Sequence, residues 1–274
     1  FTNYYYNSGI AIYQGALVIP FPGEKRSYYI FHESAEVVQI DTQAAAHPLN
    51  LSFSIVDMNL DGGLGGIISS AKDIHAIDDT LVLGRLSAVK HANGRDWWVI
   101  CHRYFSNTFY KLLITPSGVS IYGTQDIGST NPFFSYAGLA VFSPDGSKYS
   151  FHINDTTLEL YDFDRCTGDL LNPVALTVYD PNYGMLGNAF SPNGRYLYAC
   201  NNRFVHQCDT WSANIPSTDQ VVAVWDSINT PLPTWFAVMK LAPDHRIYIG
   251  TYGGSNLLHY IEFPDSAGLA CNVV

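Results

Sequence analysis

One turn recurs five times along this chain and constrains its fold more than any other feature. "IPFPGEKRSYYIF" carries Gly23, "VKHANGRDWWVIC" Gly94, "VFSPDGSKYSFHI" Gly146 and "AFSPNGRYLYAC" Gly194, while "KLAPDHRIYIGTY" has His245 in the same slot. The intervals are 71, 52, 48 and 51 residues. Each unit is a short apolar strand, a Pro/Asn/Asp-Gly turn and a Tyr- or Trp-rich strand. Asn-Gly and Asp-Gly supply the positive φ of a tight hairpin, so the recurrence has a mechanical cause. Further strands follow in the better units, "TLELYDFD" then "VALTVYD", and "FVHQCD" then "VVAVWDS". Apolar residues alternate over short runs and a period of 3.6 is nearly absent, so no helix of ordinary length is expected.

Four antiparallel strands every ~40–50 residues make the blade of a β-propeller. A β-sandwich is the alternative, but its strands need not recur in fours. The pattern predicts an all-β propeller domain, or a propeller fragment, over residues 1–274. Its blades fall near 10–70, 85–128, 138–180, 186–227 and 236–274, with 33–50 and 70–84 as insertions that lengthen the first interval. "GALVIP", "LSAVK", "GLAVFSP", "GNAFSP" and "FAVMKLAP" are the expected innermost strands.

The strings "HANGRDWW" and "FDRCTG", with "NTFYKLLITPSGV", "FSPDG", "NAFSPNGRYLYAC" and "LAPDHRIYIGTY", resemble the secreted WD-repeat-like propellers of Bacteroidota. The likeness runs from about Gly15 to the C-terminus. It implies a propeller fold and export by type IX secretion, to the extracellular space or outer cell surface. It supplies no shared catalytic residues. Members of that family carry more propeller sequence upstream and a C-terminal sorting domain, and this chain shows neither. It begins without Met or a secretory leader and reads as a processed piece or a fragment. Open blade edges would then be joined to further propeller sequence or covered by a partner.

Charge narrows the partners. Fourteen Lys and Arg against 24 Asp and Glu give a net −10, with no basic stripe for phosphate, so nucleic acid is excluded. No apolar run approaches the ~18–20 residues of a membrane helix, so membrane insertion is excluded too. Nineteen Tyr suit strand packing, sugar stacking or a protein interface. "NYYYN" at Asn3–Asn7 and "NPFFSY" at Asn131–Tyr136 are candidate aromatic platforms, or plugs between neighbouring blades.

Three residues open a candidate calcium loop: Asp57, Asn59 and Asp61, followed by Gly62. A helical calcium loop wants a bidentate Glu at position twelve, which here is Ile68; the propeller type wants an acid at position nine, which here is Gly65. Leu51, Phe53 and Ile55 alternate as in a strand, so a strand ending in a Gly-rich turn is the preferred reading. No other cofactor is indicated. The five Cys are too few for a disulfide framework. Cys200 and Cys208 could bond across a hairpin if its register sets them opposite each other.

Catalytic signatures are sparse. The expected inner strands hold no Asp or Glu before their turns, which leaves a central carboxylate pair unsupported. No G-x-S-x-G or H-E-x-x-H occurs. His102, His152 and His259 sit on alternating strands and read as structural, as do Asp155, Asp162, Asp209 and Asp226 near strand ends. The sequence therefore predicts a non-catalytic binding or scaffold module contacting protein or glycan at the cell surface. The alternatives are a polysaccharide-active hydrolase or lyase with loop-borne acids, or a lectin using the Tyr-rich surface.

Overall fold

A computed structural model of the chain describes residues 13–39, 44–130, 138–153, 156–177, 185–227, 232–251 and 256–274. The two aromatic platforms and Asp155 lie outside these residues. Every regular element described is a strand or a short 3-10 turn.

The first blade contains β1 (Ala16–Pro20), β2 (Ser27–Glu33), a hairpin of β3 (Glu36–Gln39) and β4 (Ala44–His47), then β5 (Leu51–Asp57), β6 (Gly66–Ile67) and β7 (Ile74–Ile77). Its strand order is β1-β2-β5-β6, with β7 also on β5, while β3 pairs with β4. The expected insertion at 33–50 is thus a hairpin of its own. The one at 70–84 is a correction, because β7 joins the sheet as a fifth strand.

The second blade is β8 (Ser87–Lys90), β9 (Trp97–His102), β10 (Thr108–Thr115) and β11 (Gly118–Asp126). The third is β12 (Ala140–Phe142), β13 (Lys148–His152), β14 (Thr157–Asp164) and β15 (Asp169–Thr177). The fourth is β16 (Met185–Phe190), β17 (Tyr196–Asn201), β18 (Phe204–Asp209) and β19 (Gln220–Val224). The fifth has β20 (Phe236–Leu241), β21 (Ile247–Thr251) and β22 (His259–Ile261), and Val273 bridges back to Ile261 in the fourth strand's place. Consecutive strands pair antiparallel in each of the last four sheets, with no Greek-key crossover. The fold is a five-bladed β-propeller. β1, β8, β12, β16 and β20, the expected innermost strands, each take one edge of their sheet.

Two compact units divide the chain: residues 1–136 with 164–169, and residues 137–163 with 170–274. In the first, Ile19, Tyr29, Phe31 and Leu51 pack with Leu86, Val99, Leu112 and Ile114 between blades one and two. In the second, Leu158, Leu160 and Leu176 meet Phe190, Leu197 and Cys208 between blades three and four. Tyr196, Tyr198 and Val205 likewise meet Met239, Ile247 and Ile249 between blades four and five. Tyr29, Tyr149, Tyr161 and Tyr198 are completely buried, so these tyrosines serve packing. Complete burial of an apolar side chain of this size contributes about 1.5–3 kcal/mol.

The recurring turn is held the same way in blades three and four. Ser143 N donates to Lys148 O (2.9 Å), Gly146 N to Ser143 O (2.8 Å), and the Ser143 hydroxyl to Asp145 Oδ1 (2.6 Å). Ser191 N donates to Tyr196 O (2.8 Å), Gly194 N to Ser191 O (2.9 Å), and the Ser191 hydroxyl to Asn193 Oδ1 (2.9 Å). Gly23, Gly94, Gly146 and Gly194 have φ of 83°, 73°, 74° and 77°, the left-handed region where a side chain is strained.

Candidate functional site

The fifth turn departs from its sisters. His245 N still donates to Ala242 O (3.0 Å), so His245 occupies the glycine slot, and it does so at φ 66°. Ala242 replaces the serine whose hydroxyl ties down Asp145 in blade three and Asn193 in blade four. Phe142 opposes Tyr149 and Phe190 opposes Leu197, but Leu241 opposes Ile247, so the fifth turn closes one residue sooner. With no serine hydroxyl to hold it, the Asp244 carboxylate takes the Tyr248 hydroxyl on Oδ2 (2.8 Å). A left-handed histidine costs about 1 kcal/mol that glycine would not. That strain, in a turn without the serine, makes the place a candidate site.

The turn opens on a cleft of about 590 Å³ lined by Asp244, His245 and Arg246, by Pro192, and by the Glu262–Ser266 segment after β22. Its far wall is fixed from beneath. The buried Tyr198 hydroxyl donates to Pro264 O (2.8 Å), the buried Gln207 amide donates to Ser266 O (2.8 Å), and Gly268 N donates to Gln207 Oε1 (2.8 Å). Asn193 N, from the fourth turn, donates to Asp265 Oδ1 (3.0 Å). Loop side chains on such anchors are pre-positioned as those of regular elements are.

One guanidinium lies between two carboxylates. Arg246 is 3.9 Å from Asp244 and 3.5 Å from Glu262, and it lies 5.2 Å from the Tyr260 ring centroid. Asn272 Nδ2 donates to Glu262 Oε2 (2.7 Å). The Tyr248 hydroxyl, then the Arg246 backbone N–H and charge, hold the Asp244 carboxyl below the usual aspartate range. Tyr248, then Asp244 and Glu262, hold the guanidinium firmly charged. Phe263 is 53 % exposed and offers an apolar face beside these groups. Together they comprise an imidazole, a cation for a developing oxyanion, acceptors for hydroxyl groups and a ring-sized platform.

A second concentration of ionisable groups lies in the first unit and is closed to solvent. Glu33, Arg85 and His102 are 6 %, 1 % and 2 % exposed, and Glu33 Oε2 accepts from Gly84 N (2.7 Å). Burial pushes the Glu33 carboxyl well up, with Gly84 and Arg85 opposing it. Burial also drives His102 down to about 3, the Arg85 charge acting in the same direction. His102 and His152 are fully packed strand ends, and His259 Nε2 meets Thr234 O at 2.8 Å, as structural histidines do.

Asp57 ends β5, and its Oδ1 accepts from both the backbone N and the side-chain amide of Asn59 (2.8 Å each). Asp61 follows at φ 48°, exposed, at the start of a 3-10 turn. Asp57 and Asn59 are thus engaged with each other in closing the turn. Among the described residues no three His, Cys, Asp or Glu side chains gather as metal ligands would. The candidate disulfide is a correction. The β17–β18 register sets Cys200 opposite Val205 and Cys208 opposite Leu197, so the thiols are three positions out of step, and all five cysteines are free. The two-residue turn is Asn202–Arg203, which carries Cys200 past its expected partner.

No protein-family model and no curated protein matches the chain. Solved structures do. A 6-phosphogluconolactonase candidate from Bacteroides uniformis is similar with a TM-score of 0.57 at 14% identity, covering 90% of this chain and 68% of its own. The periplasmic gluconolactonase of Pseudomonas aeruginosa has a TM-score of 0.56 at 15% identity, with the same coverage of 90% and 68%. The Dos1 propeller has a TM-score of 0.54 at 10% identity, covering 86% of this chain and 52% of its own. At these identities the likeness establishes the propeller fold. It also overturns the expectation of a non-catalytic scaffold, since two of these neighbours, over nine-tenths of this chain, bear the names of lactone hydrolases. The acids that line this cleft, Asp244, Glu262 and Asp265, lie in a turn and a loop outside the inner strands.

Proposed function

We propose that this protein is a hydrolase that opens sugar-derived lactones in the cleft of the fifth blade. The observation that carries this reading is His245, an exposed imidazole held at positive φ where the other four turns have glycine. An imidazole is the side chain suited to moving a proton near neutral pH. His245 takes a proton from water, and the hydroxide oxygen bonds to the lactone carbonyl carbon. The carbonyl electron pair moves to oxygen beside the Arg246 guanidinium, which stabilises the oxyanion. Collapse re-forms the carbonyl and breaks the ring C–O bond, and the departing oxygen recovers the proton from His245. The net change is lactone plus water to hydroxy acid.

The remaining groups position these two. Asp244 and Glu262 orient the guanidinium from either side, and Tyr248 holds Asp244. Phe263 stacks on the C–H face of a sugar ring, with Asp265 as a hydroxyl acceptor. The acids are loop-borne, and two neighbours of the same fold are named for gluconolactone chemistry. A location outside the cytoplasm belongs to the same reading, supported by the periplasmic neighbour and by the resemblance of several strings to secreted Bacteroidota propellers. A pH-stat assay of the 274-residue chain on D-glucono-1,5-lactone tests the proposal. Acid release above the spontaneous rate is expected, with Arg246→Gln lowering kcat/KM about 10²–10³-fold. A wild-type rate equal to buffer alone would refute it.

A further inference from the structure

Resting on the hydrolase reading above, we infer that the cleft takes uncharged lactones and turns away those bearing a phosphate or carboxylate. Its lining carries three carboxylates, Asp244, Glu262 and Asp265, against the one guanidinium of Arg246. Asp244 and Glu262 flank that guanidinium at 3.9 and 3.5 Å, so two carboxylate charges already offset its single positive charge. Both contacts are longer than a hydrogen bond, so an N–H remains for one transient oxyanion. A phosphate dianion would instead meet a cleft of net negative charge on a chain of net charge −10. Like charges within a Debye length of about 10 Å at 0.1 M salt repel, and desolvation in a concave site strengthens the effect. A neutral ring faces none of this. It lays its apolar face on Phe263 and gives its hydroxyl hydrogens to the carboxylates. The two lactonase names among the similar structures differ in just this respect, one phosphorylated and one not, and the charges here select the second.

Two arms keep failure of the specificity apart from failure of the hydrolase reading. The first compares kcat/KM for D-glucono-1,5-lactone and its 6-phosphate. The second measures binding of the unreactive D-glucono-1,5-lactam and its 6-phosphate by calorimetry. We expect at least a 100-fold preference for the neutral member in each arm, narrowed by 1 M salt and by Asp265→Asn. Equal or better turnover of the phosphorylated lactone would overturn the inference while leaving the hydrolase standing. Binding of the neutral lactam alone, with neither lactone turned over, would uphold the inference and sink the hydrolase. Binding of neither lactam, or of both equally, would overturn the inference.

Discussion

His245 joins backbone strain to the proton-transfer role proposed for it. Glycine at this position matches what four sister turns already use, so His245→Gly should fold. It should gain up to about 1 kcal/mol from relief of the left-handed side chain, partly offset by glycine's unfolded-state entropy. Urea titrations of both forms check this. His102 carries a different prediction. Burial lowers its folded value to about 3 from an unfolded 6.5, so the neutral form is favoured in the fold. The resulting stability is fully present above pH 6.5 and is lost as pH falls towards 3, amounting to several kcal/mol. His102→Gln should be less stable at pH 7 but show a shallower loss between pH 6 and pH 4. Parallel slopes for the two proteins would show that His102 does not titrate on unfolding.

At the scale of strands and turns, the close approach of β16 to β20 depends on a glycine. A Cβ on Gly187 would lie 2.5 Å from Ala237 O and 2.7 Å from Met239 N, both backbone atoms that cannot yield alone. Gly187→Ala should therefore cost about 1–3 kcal/mol, as overpacking does. Thermal unfolding measures it, and an unchanged midpoint would mean the strands are farther apart. The β17–β18 register makes a second test. Four cysteines are buried and Cys166 is exposed, so one thiol should react with Ellman's reagent in the native protein and five after unfolding. Three after unfolding would reveal a disulfide. The turn motif was legible in sequence because Asp-Gly and Asn-Gly answer to backbone sterics alone. Register was less so, since one residue of turn length moves every pair. The fifth turn was legible as a turn but not as a site. Ala242 and His245 look like decay of the motif until the serine bonds of blades three and four show what was given up.

For the whole molecule, five blades were readable because each repeats its own local rules, and packing between blades follows from alternating apolar strands. The cleft was not, because the Glu262–Ser266 loop and the turn of Asp244–Arg246 are brought together only by the fold. The one visible signal was a histidine in a glycine slot. The most direct test of the account measures two properties of His245→Gly on one sample: urea stability and kcat/KM on D-glucono-1,5-lactone. The account predicts stability at least equal to wild type with activity lowered about 10²-fold or more. Undiminished activity in a stable His245→Gly protein would contradict it.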